Sequence, residues 1–372
     1  MKYVVNIVCF ATIILVGTSL LLPAASIDEK PMFWLQTAWG IVGLACVTMA
    51  ALLGLFNRYK SATGSVVFAL LGLAGAIAPL GLLASGAAVT GASQGFRLAM
   101  AALVLLAGTG LTTLASIESN KGWTRHGVAL LLGMWVVVFW QIAVQAFGVP
   151  RVLLPAPVLI ATTLWEQWDV LLDDFKTTVL RSALMGYIIG CGGGFLLGVL
   201  IDRSSFLQRG LLPVCALASS IPLVGIAPIM VMWFGFEWHS KAAVVALMTF
   251  FPMLISTVAG LAATGRMELD LMRSYAAGHA RTLLSLRLPN AMPFLFNGLK
   301  VASTLALIGA IVAEFFGSPM VGMGFRISSE AARMNMGLVW ATIVITALTG
   351  TLFYALLEWA ERAITFWHPS QR

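Results

Sequence analysis

The sequence predicts an all-α, polytopic membrane protein with about ten transmembrane helices, and three observations carry that reading. Hydrophobic residues make up 60% of the 372 and charged residues only 10%, against roughly 25% charged in soluble domains. Mean hydropathy is +0.95, more apolar surface than a soluble chain of this length can hide. Several runs reach the ~20 apolar residues that cross a ~30 Å hydrocarbon core as a helix. Lipid offers no partner to open backbone N–H and C=O groups, so such runs close their hydrogen bonds internally. The alternation of a β-barrel strand is absent from them.

Ten runs qualify: Val4–Leu22, Met32–Phe56, Ser65–Val89, Phe96–Ser116, Val128–Ala146, Thr178–Ile201, Leu211–Phe234, Ala242–Ala263, Phe294–Phe316 and Leu338–Ala360. The first follows Lys2 and precedes Pro23-Ala24-Ala25, as a secretory leader does. Its apolar core exceeds the roughly 7–15 residues of a leader, which predicts a retained span. Trp34, Trp123, Trp233, Trp238 and Trp367 sit near span ends, where amphipathic rings meet the headgroups. With the amino terminus inside, 14 of the 22 Lys and Arg fall on the cytoplasmic side. That bias predicts both termini in the cytoplasm. It also accounts for the net charge of +7, with the bilayer as partner and no nucleic acid.

Between the fifth and sixth spans, Leu164, Trp168, Leu171, Leu172 and Phe175 mark one helix face, with Glu166, Asp169, Asp173 and Asp174 mostly off it. Two readings stand: an amphipathic connector resting on the bilayer, or an outer-side docking helix. In the sixth span Gly186, Gly190, Gly194 and Gly198 recur every fourth residue. Such a stripe admits a second helix backbone, within the subunit or from another copy.

Enzyme signals are weak. Gly91–Gly95 spells G-x-S-x-G, but that motif works on a strand-to-helix elbow with triad partners, and this is a turn between spans. His126, His239, His279 and His368 are isolated, as are Cys9, Cys46, Cys191 and Cys215, so neither a metal site nor a disulfide framework is expected. No G-x-x-x-x-G-K-[S/T] occurs, so the chain lacks a phosphate-binding P-loop. An intramembrane enzyme would need clustered polar groups at membrane depth. A secondary carrier would show inverted repeats with broken helices in both halves. Neither pattern is evident.

The polar stretch Asp270–Pro289, DLMRSYAAGHARTLLSLRLP, carries Arg273, Arg281 and Arg287 between two apolar runs. It resembles the cytoplasmic loop of ATP-binding-cassette importer permeases, written E-A-A, three residues, G, nine residues, I-x-L-P. Without gaps, Asp270-Leu271-Met272 falls on E-A-A, Ala276 on the glycine, Leu286 on the isoleucine and Leu288-Pro289 on L-P. Asp replaces Glu and Ala replaces Gly; Ala276 implies a right-handed or extended backbone there rather than a turn with positive φ.

Leu153-Leu154-Pro155-Ala156-Pro157, Ile221–Gly235, Ser240-Lys241-Ala242 leading to Phe250-Phe251-Pro252, and Ala313-Glu314-Phe315 resemble the nitrate, sulfonate and taurine branch of these permeases. That branch includes carriers of thiamine pyrimidine precursors, and Ile221–Gly235 with Phe250–Pro252 is most similar to its thiamine-precursor or riboflavin group. The resemblance implies a type I importer permease core over residues 121–372, with a coupling loop at 264–293. A four-helix membrane extension of residues 1–120 precedes it, without a recognisable motif.

The resemblance further implies a bacterial inner-membrane transport subunit that is not itself an enzyme. It implies a permease homodimer, two ATPase subunits and an extracytoplasmic solute-binding protein. No cofactor belongs to this chain; ATP and Mg would be bound by the ATPase. Coupling would rest on Asp270, Arg273, Ser274, Ala276, Ala277, Leu283, Leu286, Leu288 and Pro289. Asp270 would stand near the start of a short helix and favour its positive end. Arg273, on the first turn, would pair with the partner or anchor the loop at the membrane. Leu283 and Leu286 would touch the ATPase, and Pro289 would stop the helix. Met230, Glu314 and Phe315 are candidates for the solute path or gate, with Glu314 either lining it or solvated among headgroups.

Overall fold

The computed structural model describes residues 2–367 except 28–29, 57–61, 88, 90–92, 117–121, 219–222 and 318–319. Lys60, Lys121, His368 and the first two residues of the G-x-S-x-G turn lie outside the described residues. Apart from one short hairpin the described elements are helical, and nine helices among the described residues are long and apolar enough to cross a membrane. The chain is a polytopic all-α membrane protein. It forms two compact units, Met1–Leu159 and Ile160–Arg372.

The first unit contains α1 (Lys2–Leu21), α2 (Ala38–Leu55), α3 (Ala62–Ala74), α4 (Ile77–Ala84), α5 (Gln94–Ala115) and α6 (Gly122–Ala146). An antiparallel hairpin, β1 (Ala25–Ile27) with β2 (Lys30–Met32), follows α1 in register Ala25↔Met32. Thr37 caps α2 by accepting a hydrogen bond from the Gly40 N–H at 3.1 Å, which satisfies one of the orphan donors of a helix start. The third apolar run bends between α3 and α4. Trp34, Val47, Phe68, Leu82 and Leu103 form the core. The fifth span, α6, buries Leu131, Trp135 and Ile142 in the same core.

The second unit runs through α7 (Pro157–Glu166), most of it within the unit, then α8 (Trp168–Phe175), a π-helical stretch Lys176–Ala183 and α9 (Leu184–Arg203). The amphipathic run thus continues directly into the sixth span. Of its apolar face Leu171 is buried, while Trp168 is exposed. The seventh apolar run divides into α10 (Ser205–Ala218), a 3-10 turn Leu223–Ile226 and α11 (Ala227–Phe234). Pro228 stands at the start of α11, where a missing N–H costs nothing.

Three long helices make the core of this unit: α9, α12 (Trp238–Ala262) and α15 (Leu288–Phe316). The glycine stripe of α9 faces α12 within the chain. A Cβ at Gly190 would overlap Thr249 Oγ1 and the Ala246 carbonyl, one at Gly194 the Phe250 carbonyl, and one at Gly198 would sit 2.7 Å from Thr257 Cβ. Backbones this close gain dispersion contacts that larger residues would block. On the other side, Gly298 brings α15 against Ser256, and Tyr187 donates to the Leu299 carbonyl at 3.1 Å. The remaining elements are α13 (Arg266–Ser274), α14 (His279–Thr282), α16 (Met323–Ala332) and α17 (Met336–Ile364). Lys300 of α15 pairs with Glu361 of α17.

Candidate functional sites: an exposed loop helix and a buried carboxylate node

The loop between α12 and α15 is helical from its start. Gly265 precedes α13, whose first turn carries Glu268 and whose last turn carries Arg273. The acid that meets the positive helix end is therefore Glu268 rather than Asp270, which corrects the expectation from the sequence. Asp270 lies mid-helix and accepts from Arg273 at 2.9 Å, both side chains exposed. An i, i+3 pair of this kind contributes about 0.3–0.5 kcal/mol. It engages the arginine on its own helix, in the last turn rather than the first.

Ala276 requires a second correction. Its φ is +52°, in the left-handed region. Helix α13 ends there in a Schellman arrangement. The Ala277 N–H donates to the Met272 carbonyl at 3.0 Å and the Ala276 N–H to the Arg273 carbonyl at 2.9 Å. The closing hydrogen bonds require αL at this position, so the turn that glycine makes in the related pattern is kept although the glycine is not.

Pro289 does not end a helix. A helical rod runs from His279 to Phe316 through α14, a π-helical stretch Leu283–Arg287 and α15. A proline within a helix lacks its N–H and crowds the carbonyl four residues back. The widened π turn stands just before Pro289, where it accommodates both effects. Leu283 and Leu288 pack against the core of their own unit; Leu286 is half-buried and Ser274 exposed. The apolar groups that face outward are instead Met267 and Leu271 on α13 and Tyr275 at its C-terminal cap, spaced four apart, and Leu284, with exposures of 83%, 56%, 77% and 64%. No residue of α13 is buried.

The third of the loop's arginines, to which the sequence assigns no role, ties this loop to the bundle. Arg287 donates to both carboxylate oxygens of Asp202, at the end of α9, at 2.6 and 2.7 Å. Its guanidinium also donates to the Leu261 carbonyl, in the last turn of α12, at 2.9 and 3.3 Å. The planar fork fits this bidentate geometry, which lysine cannot reproduce. A single side chain thus joins the loop's stem to two spans.

Glu314 lies near the other end of α15 and is 2% exposed, so it is not solvated among headgroups. Thr178 Oγ1 donates to its carboxylate at 2.8 Å, and the Gly324 N–H donates at 2.7 Å. The Met323 N–H in turn donates to Thr178 Oγ1 at 2.7 Å. Asp174, fully buried, accepts from the Gly322 N–H at 2.8 Å and from Arg326 Nε at 2.7 Å. Buried carboxylates persist only with such partners. Together they hold the start of α16 against the α8–α9 region. Gly322, at φ +135°, sits where a Cβ would come within 2.7 Å of the Glu314 carboxyl. Phe315 is 46% exposed, and Met230 is buried in an apolar cluster with Ala227, Val244, Met248 and Ala313.

A cavity of about 170 Å³ adjoins Glu314, lined also by Thr177, Arg181, Ser182, Glu237, Trp238, Lys241 and Val321. Lys241 is 2% exposed, and its ammonium donates to the carbonyls of Phe236 and Glu237.

Residues 190–366 match the family model described as binding-protein-dependent transport system inner membrane component. The chain is 32% identical over 249 residues to the riboflavin transport system permease protein RibX of Chloroflexus aurantiacus, which spans 67% of this chain and 92% of that one. It is 30% identical to the formylaminopyrimidine transport permease protein ThiX of Halalkalibacterium halodurans, over 65% of this chain and 96% of that one. The putative aliphatic sulfonates transport permease protein SsuC of Bacillus subtilis is 28% identical, over 70% and 95%. With the loop in register and these matches covering two thirds of its length, the chain belongs to the inner-membrane permease subunits of binding-protein-dependent ATP-binding-cassette transporters.

Proposed function

We propose that this permease moves a small organic solute inward by alternating access, driven by a separate ATPase that binds the ATP and Mg. The supporting observation is the outward row Met267, Leu271 and Tyr275 on a helix with no buried residue. An apolar row of this kind on a surface helix marks a docking face. The loop then lies in the cytoplasm, as the Lys and Arg bias expects; with α10 and α11 together making a tenth, broken crossing beside the nine long helices of the described residues, both termini lie on that side. Asp270, Arg273, Ser274, Ala276 and Ala277 shape the docked helix. Leu283, Leu286, Leu288 and Pro289 form the stem that carries its movement into α15. A solute-binding protein would meet the opposite face of a permease homodimer. ATP and the loaded binding protein shift the inward-open and outward-open populations only through different affinities for the two states.

For the solute, we favour a thiamine pyrimidine precursor or a riboflavin-like compound. The riboflavin and formylaminopyrimidine permeases reach 32% and 30% identity, against 28% to 25% for the sulfonate and taurine permeases. Nitrate, sulfonate or taurine transport by the same machinery is the alternative.

Reconstitution with the ATPase and binding protein tests both parts. Uptake of formylaminopyrimidine or riboflavin in preference to taurine is expected. Asp270→Lys combined with Ala276→Trp should leave the protein inserted while abolishing solute-stimulated ATP hydrolysis and uptake. Normal uptake by that variant at matched membrane levels would remove the loop from the coupling role.

A further inference from the structure

The cavity beside Glu314 has a chemistry that the coupling reading leaves unused. Lys241 stands in the opening turn of α12, where the positive end of the helix disfavours a cation, and it is buried as well. A residue that breaks both rules is a candidate for a role beyond the fold. Two of its three N–H groups have acceptors, the carbonyls of Phe236 and Glu237, and the ammonium lines the cavity. Arg181, at the same cavity, is exposed and makes no ion pair among the described residues. Both Glu314 oxygens already accept from Thr178, and one also accepts from Gly324. Glu314 is thus held by its own donors, and no ion pair joins it to Lys241 among the described residues. The groups left over are three donors, the third ammonium N–H, the guanidinium and the Thr177 hydroxyl, and one acceptor, the exposed Glu237 carboxylate at the cavity's edge.

We propose that Lys241 and Arg181 form a solute-contact subsite on the transport path, which takes a group carrying acceptor oxygens, a carbonyl or a small oxyanion. At about 170 Å³ the cavity is smaller than the roughly 300–1,000 Å³ of sites that enclose a whole small molecule. It holds one end of the solute and leaves the rest to the path. The inference deepens the importer reading and rests on it.

Two measurements on the complete transporter separate the inference from the choice of solute. The first is uptake in proteoliposomes with formylaminopyrimidine, riboflavin and taurine as probes. Arg181→Gln, which alters only an exposed side chain, should raise the half-saturating concentration about tenfold for whichever probe is carried, the scale of one hydrogen bond to a charged group. Lys241→Met should lower uptake further, and Lys241→Arg should restore part of it. The second is the melting midpoint of the solubilised complex with the same probes, plus formate and methanesulfonate. Acceptor-bearing probes should raise it by mass action, ethylamine should not, and the rise should vanish in Arg181→Gln. If no probe is carried but the melting shift behaves this way, the solute preference fails and the subsite stands. Wild-type half-saturation in both Arg181→Gln and Lys241→Met would overturn the subsite while leaving the solute reading intact. So would the absence of any melting shift in the unaltered complex.

Discussion

The two ends of α15 are built on opposite principles. At one end Glu314, Thr178 and Asp174 are each no more than 2% exposed, with their polar atoms spent on one another, on Arg326 and on the backbone of the α16 start. At the other, α13 has no buried residue, and its one ion pair is exposed. The buried node gains its order from tertiary contacts and loses it all at once if one partner goes. The exposed helix keeps itself together with local devices: an acid in its first turn, an i, i+3 pair and a Schellman close. Under the proposed docking to an ATPase, that independence would let the helix sit in the partner's groove and move with it.

The largest effect should come from breaking the buried end. Asp174→Ala leaves Arg326 with only the longer contact to Glu330, at 4.0 Å, and the Gly322 N–H without its acceptor. Removing one partner of a buried pair typically costs about 3–5 kcal/mol. The expected outcome is a clear drop in the melting midpoint of the purified protein, with α16 released first to proteolysis. Asp174→Asn, which keeps an acceptor for Gly322, should fall in between. Equal melting of Asp174→Ala and the unaltered protein would show that the node is dispensable.

The next effect tests the joint between the two regimes. Arg287→Lys keeps the charge but loses the fork that spans Asp202 and the Leu261 carbonyl. Hydrogen bonds to charged groups are worth about 1.5–3 kcal/mol each, so part of the clamp's rigidity goes while α13 stays intact. The ATPase should still bind, and its hydrolysis should no longer rise with the loaded binding protein. A charge exchange, Asp202→Arg with Arg287→Asp, should recover some stimulation if the pair itself matters. Full stimulation in Arg287→Lys would show that movement reaches the spans by another route.

Local periodicity made much of this legible. Most of the spans and the glycine stripe are patterns within one segment, and each appears in the structure where such a pattern can place it. The two clamps are not of that kind. Asp174 and Arg326 are 152 residues apart, and Asp202 and Arg287 are 85 apart. A helix-face argument assigns Asp174 to solvent because it lies off the apolar stripe, and only the arrival of α16 buries it. Lys241 falls within a matching segment of the sequence, but hydropathy records residue type and not depth, so nothing there marks it as a buried cation. The broken seventh span was hidden by its composition, which is as apolar as a continuous helix.

The smallest effect is also the most diagnostic of the exposed end. Ala276 occupies φ +52°, where an L-residue other than glycine pays roughly 1–2 kcal/mol. The Schellman bonds from Ala276 and Ala277 hold it there. Glycine removes the Cβ penalty but gives the unfolded loop more freedom, which returns part of the gain. Ala276→Gly should therefore add no more than about 1 kcal/mol to the order of α13. That is visible as slower hydrogen exchange at the Ala277 amide, with uptake maintained. Ala276→Val should act in the opposite direction, because a β-branched side chain tolerates this backbone least. It should fray the last turn, free Arg273 from its fixed place and weaken ATPase binding without altering the Asp174 node. If the valine variant exchanges no faster at Ala277 than the unaltered protein, the left-handed close is not what orders the helix. The contrast between a self-sufficient loop helix and a buried, shared node would then lose its basis at this end.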